Sequence, residues 1–144
     1  MSDMRRGVID RLEPELGSLM RRLEMSYRRG RYSLERAHYL LLSLLQEGGL
    51  STGEIAERLG LDHSTVVRQV AAIEQLGLAS RSTNPHDRRS VVVEATAAGK
   101  DAAREMREKR RARLEAMLSG WSQTELTQFA DLLERFNQAL IEND

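Results

Sequence analysis

Apolar residues in this chain recur mainly at three- and four-residue steps, the spacing of helices with one buried face, and only one short stretch departs from it. Val8 to Arg29 carries Ile9, Leu12, Leu16, Leu19, Met20 and Leu23 on one face; a start near Glu13 would place Pro14 in the tolerant first turn. Ser33 to Gln46 reads as a second helix, buried by its Leu40 to Leu45 cluster and ended at Gly48-Gly49. Two short helices follow, from Ser51 to Gly60 and from Asp62 to Leu76. The departure comes next: Leu78 to Ser82 and Ser90 to Glu94 are short, and the second holds the β-branched run Val91, Val92, Val93. Ala97 to Leu118 is a long charged helix broken at Ser119-Gly120. Ser122 and Glu125 open a last helix, Gln123 to about Ile141, with the stripe Leu126, Phe129, Leu132, Leu133, Phe136 and Leu140.

The middle of the chain is the most specific part. Ser51 and Glu54 have the spacing of a capping box, in which each side chain satisfies a backbone donor of the helix start. Ile55, Ala56 and Leu59 form the inner stripe of the first short helix. Gly60 allows a left-handed exit. Leu61 is expected to plug the corner and Asp62 to cap the next helix with its carboxylate. Val66, Val70 and Ile73 continue the buried stripe to Leu76, and Gly77 stops it. Small residue, corner glycine and buried valines at these spacings predict a helix-turn-helix.

The other face of the second short helix carries His63, Ser64, Thr65, Arg68 and Gln69, which are hydrogen-bonding groups near its N-terminal end. That is where a recognition helix meets base edges. Arg68 suits guanine or a phosphate, and Gln69 suits adenine or solvent. Beyond it, Asn84 and Pro85 mark the turn of a hairpin whose tip, Asn84 to Arg89, includes His86, Arg88 and Arg89. Two guanidinium groups on a short projection suit phosphates or a narrow minor groove. Asp87 is expected to orient one of them through an ion pair.

These segments resemble the MarR-type winged helix-turn-helix regulators. The resemblance rests on DHSTVVRQVAAIEQLGLASR and on DRRSVVVEATAAG, where Asp87, Arg89, Thr96 and Gly99 keep the family's spacing and Ala95 replaces its usual leucine. It extends over nearly the whole chain, since a long helix precedes the winged region and two follow. It implies a mainly α fold with a small β wing: a winged lobe at residues 33–100, flanked by dimerisation helices at 1–32 and 101–144. It places Arg68 on the DNA-contacting arginine of the recognition helix, and Arg88 and Arg89 at the wing tip. It also implies a homodimer on palindromic double-stranded DNA, often released by a small ligand lodged between the dimerisation helices and the winged lobe. Tyr27, Arg31, Tyr32, His38 and Tyr39, near the junction of the first two helices, are the candidates for that pocket. The expected effectors are aromatic or phenolic acids.

Composition sharpens this picture by exclusion. At 144 residues the chain has the size of one domain with a substantial core. No apolar run approaches the roughly 20 residues that span a bilayer. The N-terminus lacks a secretory h-region, so the cytoplasm is the expected compartment. Without cysteine there is no disulfide, thiolate metal site or thiol chemistry. The histidines, His38, His63 and His86, are scattered and form no metal or hydrolase motif, and no glycine loop cradles phosphate. No cofactor, metal or enzymatic activity is expected, and His38, among apolar residues, is expected in the core.

The formal net charge is zero, but it is unevenly spread. Residues 1–36 hold nine basic and six acidic side chains, residues 101–113 six and three, and residues 114–144 one and six. Residues 51–100 balance at six against six, so attraction to DNA must come from placement and not from bulk excess. That balance also fits a second reading, a winged-helix protein-interaction module without DNA binding. The terminal helices carry more apolar surface than one thin domain requires, which predicts that they interdigitate between two subunits.

Overall fold

The computed structural model describes residues 3–29 and 34–143, apart from the side chain of Tyr27. It is mainly helical with a small antiparallel sheet, and it divides into two compact units, Met1–Met106 and Arg107–Asp144. The elements in order are α1 (Asp3–Arg28), α2 (Arg36–Leu44), β1 (Leu50–Ser51), α3 (Thr52–Leu59), α4 (His63–Gln75), β2 (Ala79–Asn84), β3 (Asp87–Ala95), α5 (Ala97–Met117) and α6 (Gln123–Asn143).

The core of the first unit is built from one stripe of each short helix. Leu41, Leu42 and Leu45 come from α2 and its end, Ile55 from α3, and Val66, Val70 and Ile73 from α4, all with no exposed surface. Val93 of β3 and Met106 of α5 close it, also fully buried. Each such side chain contributes about 1.5–3 kcal/mol relative to an exposed one. This is the stripe the sequence spacing predicts, with three exceptions. Leu40 is 38% exposed, Leu61 37% and Leu76 61%, so none of them belongs to the core. Leu61 lies beyond the glycine that turns the chain outward, and Leu76 ends α4 where the chain leaves for the hairpin.

Two further departures concern helix ends. The first helix does not begin near Glu13; α1 runs from Asp3 straight through Pro14. Proline there removes the rung that would reach the Asp10 carbonyl, and the turns on either side carry the helix across the gap. The second helix is shorter than its apolar pattern, Arg36–Leu44.

The sheet has the order β1-β3-β2. Leu50 pairs with Val93 and Ser51 with Val92, giving a third strand that the sequence pattern did not predict. A Cβ on Gly49 would stand 2.7 Å from Val92 Cγ1 and 2.8 Å from Glu94 Cγ, so a larger residue there would have to displace those β3 side chains. On the other side Ala79 pairs with Ala95 and Arg81 with Val93. The hairpin is tied to α4 by an ion pair from Arg81 to Glu74, at 2.5 Å.

The start of α5 is locked against the end of α4. The Thr96 hydroxyl donates to the Gly77 carbonyl at 2.7 Å and accepts from the Gly99 amide at 3.1 Å. A Cβ on Gly99 would stand 1.9 Å from the Leu78 carbonyl oxygen. The Thr96–Gly99 pair is therefore the joint that fixes α5 to the winged lobe.

The second unit is a helical hairpin. Ser122 and Glu125 form the expected capping box, with bonds of 2.7 Å and 3.2 Å, and Trp121 meets Phe129 edge-on at 5.4 Å. No residue of α6 is buried; Phe129, Leu132, Leu133, Phe136 and Leu140 are 38–59% exposed. In the first unit, Val8, Ile9, Leu12, Leu19 and Leu23 of α1 are 45–53% exposed.

Candidate nucleic-acid interface

The corner between α3 and α4 forms as the sequence indicates. Ser51 Oγ accepts from the Glu54 amide at 3.1 Å, and Glu54 Oε2 accepts from the Ser51 amide at 2.8 Å. Gly60 has φ 63°, and the Leu61 amide donates back to the Ala56 carbonyl at 3.0 Å. Gly77 has φ 75° and ends α4 in the same manner, with Leu78 N–H on the Ile73 carbonyl at 2.9 Å. Both left-handed closures satisfy carbonyls that a helix end would otherwise leave open. Asp62 occupies the N-cap position of α4, but its side chain makes no capping bond. The next residue does the joining instead: His63 Nε2 and Thr52 Oγ1 are hydrogen-bonded at 2.9 Å, linking the first turns of α3 and α4.

With Val66, Val70 and Ile73 turned inward, helical geometry decides what faces out. Ser64 and Arg68 stand opposite the core and are exposed, with Val67 beside them. The Arg68 guanidinium makes a long 3.5 Å contact with the Thr65 hydroxyl. Gln69 does not share this edge. It lies three residues from Val66 and one from Val70, half-buried, and its Oε1 is enclosed without a protein partner. It lines a shallow cleft with His38, Thr65, Arg68 and Ala72. His38 is likewise half-buried at the rim of that cleft and not in the core.

The wing differs in detail from the expected hairpin. Its strands are longer, and the turn narrows to Pro85-His86, where the Asn84 side chain accepts from the His86 amide at 2.9 Å. Arg88 and Arg89 are not at the tip but on β3. Thr83 pairs with Val91 and Asn84 with Asp87, so Arg88, Arg89 and Ser90 bulge out of the ladder. Asp87 does not pair with a guanidinium. Its carboxylate accepts from the backbone amide of Arg89 at 3.0 Å, satisfying a donor that the bulge takes out of the ladder. Among the described residues Arg68, Arg88 and Arg89 enter no ion pair, and all three are exposed.

Sequence spacing missed the cleft that joins these parts. It measures about 400 Å³ and is lined by Thr52 and Gly53 of α3, His63, Val67 and Val70 of α4, and Arg81, Arg89 and Val91 of the wing. It puts the start of α3, the outer side of α4 and the foot of the wing around one space. The signal was present in Thr52 and Val67, a polar residue after the cap and an apolar one outside the stripe. Of the candidate effector residues, Arg31 and Tyr32 and the side chain of Tyr27 lie outside the described residues. His38 and Tyr39 stand on α2, both half-buried, with Tyr39 packed against the core cluster.

Residues 32–90 match the sequence profile of the MarR family. Over 138 residues the chain is 39% identical to the uncharacterized HTH-type transcriptional regulator YxaD of Bacillus subtilis (strain 168), covering 93% of this chain and 96% of that one. The chain belongs to the MarR family. A second relative is the HTH-type transcriptional repressor MdtR of the same organism, 32% identical over 101 residues, 70% of this chain and 65% of MdtR. A MarR family protein from Bacillus stearothermophilus superposes with a TM-score of 0.81 at 26% identity, covering 98% of this chain and 99% of that one. Membership makes the chain a DNA-binding transcriptional regulator, in a family of regulators and not of enzymes. Among the described residues no helix is long and apolar enough to cross a membrane, and no cluster of metal-binding side chains occurs.

Proposed function

We propose that this MarR-family chain works as a homodimeric repressor on a palindromic operator and lets go when a small aromatic or phenolic ligand binds. The observation that carries the reading is the pairing of an outward, unpaired Arg68 on α4 with unpaired Arg88 and Arg89 in the bulged wing of the same unit. In this reading His63, Ser64, Thr65 and Arg68 enter the major groove, while Asn84, His86, Arg88 and Arg89 follow the backbone or minor groove. Asp87 shapes the wing by holding the Arg89 amide. The site of action is the cytoplasm, where the chromosome lies.

The dimer is supported by the exposed apolar side chains of α1 and of α6. Exposed apolar faces of this extent mark interfaces. Two-fold pairing would set two copies of α4 about one DNA turn apart, roughly 34 Å. Repression is the role named for the relative MdtR. For the ligand, His38 and Tyr39 of α2 supply polar tips, and Tyr27, Arg31 and Tyr32 are candidates from the sequence alone. A ligand that prefers one spacing of the two recognition helices shifts the dimer away from the spacing that fits DNA.

The test is selection of bound duplexes from a random library, with sedimentation of the free protein alongside. Inverted half-sites one turn apart and a dimer at micromolar concentration support the reading, as does release of the duplex by added phenolic acids. Failure to enrich any sequence, with binding insensitive to salt, favours the protein-interaction module that the balanced charge of residues 51–100 suggests.

A further inference from the structure

One residue on the outward side of α4 is chemically out of place. Val67 stands one position before Arg68 and one turn after Ser64, and 37% of its surface is exposed. It fills no gap in the core, where Val66 and Val70 already point inward. A β-branched residue is also a poor choice for an exposed helix position, since it loses side-chain freedom there. Single exposed apolar residues are ordinary on protein surfaces. This one sits within the first two turns of a recognition helix, flanked on its outward edge by the residues that would meet bases.

The major groove offers one apolar feature, the 5-methyl group of thymine. We propose that Val67 reads a thymine methyl in each half-site, next to the base or phosphate taken by Arg68. The inference rests on the DNA-binding reading above and adds a base preference to it. Ser64, on the same edge, has a hydroxyl that bonds to any base edge and so discriminates little. The valine methyls instead gain contact only where a methyl is presented. Losing one buried methyl corresponds to about a fourfold loss of affinity.

Deoxyuridine in place of thymine removes that methyl and leaves pairing intact. In duplexes recovered by selection, each thymine is replaced in turn and binding measured by fluorescence anisotropy. The expected result is one thymine per half-site whose replacement weakens the parent protein about fourfold. Val67→Ala, which loses both γ-methyls, binds the two duplexes equally, while Val67→Thr, which keeps one of them, retains part of the discrimination. Leu76→Ala, an exposed apolar residue at the far end of α4, is expected to discriminate like the parent. The inference is overturned if no thymine shows the effect, or if the effect persists in Val67→Ala or vanishes in Leu76→Ala. Recovery of a bound duplex with uniform indifference to deoxyuridine refutes Val67 alone; recovery of none refutes the DNA reading beneath it.

Discussion

Replacing Gly99 by alanine tests the joint on which the position of α5 depends. The added Cβ would lie 1.9 Å from the Leu78 carbonyl oxygen, 2.9 Å from its carbon and 3.2 Å from Leu42 Cδ2. An ordinary C···O contact needs about 3.3 Å, so the start of α5 must retreat by about 1.4 Å. The obstacle is backbone, which cannot swing aside as a long side chain does. Retreat stretches the 2.7 Å bond from the Thr96 hydroxyl to Gly77 and the 3.0 Å bond from the Thr96 amide to Leu78. Weakening two such bonds costs about 1 kcal/mol each, and overpacking about 1–3 kcal/mol. Better helix propensity of alanine returns about 1 kcal/mol. The net expectation is about 2–4 kcal/mol of destabilisation, or about 5–15 °C in melting temperature for a chain of this size. Thermal and urea unfolding by circular dichroism would read both. Gly53→Ala is the control, because its Cβ comes no closer than 3.9 Å to Ser51 Oγ, and it is expected to match or exceed the parent. A Gly99→Ala protein that melts with the parent would refute the close approach.

Ser51→Ala removes one half of the α3 capping box and is expected to cost about 1 kcal/mol in urea unfolding. Asp87 acts on the Arg89 amide through an acceptor oxygen and not through a guanidinium pair. Asp87→Asn is therefore expected to bind DNA like the parent, whereas Asp87→Ala weakens binding severalfold, the loss of one hydrogen bond worth about 1 kcal/mol; equal loss in both would restore the ion-pair explanation. Leu133→Glu with Phe136→Glu places two carboxylates on the uncovered face of α6 and is expected to turn a sedimenting dimer into monomer without melting the winged lobe. A parent protein that is already monomeric at micromolar concentration would remove the dimer proposal.

What the sequence disclosed was chiefly local. The Ser51–Glu54 and Ser122–Glu125 boxes, the closures at Gly60 and Gly77, and the stripe Val66, Val70, Ile73 each depend on residues within one or two turns. Their spacing alone determines the geometry, and the structure has them where expected. What stayed hidden was set by distant partners. Ser51 is both a helix cap and a strand residue opposite Val92, and nothing near it in sequence announces the second role. Arg88 and Arg89 read as a charged tip, but the register of β2 against β3 moves the turn to Pro85-His86 and lifts the arginines into a bulge. Gln69 counted as polar and so as outward. The rotation of α4 about its buried valines instead leaves Gln69 half-buried with its Oε1 enclosed, on the wall of the cleft it shares with His38. Asp62 had the residue type of a cap but not the bond, because residue type does not fix a rotamer.

At the proposed interface the outward arginine of α4 and the bulged arginines of the wing touch DNA together. Titrating one selected duplex with the parent, Arg68→Ala and Arg89→Ala over a range of salt measures this directly. Loss of a base contact at Arg68 is expected to cost about 1–3 kcal/mol and to relax sequence preference. Loss of a phosphate contact at Arg89 is expected to weaken all sequences alike and to lower the salt slope by about one. If both variants hold the duplex as tightly as the parent, with the same salt slope, the proposed interface is not where this protein meets DNA.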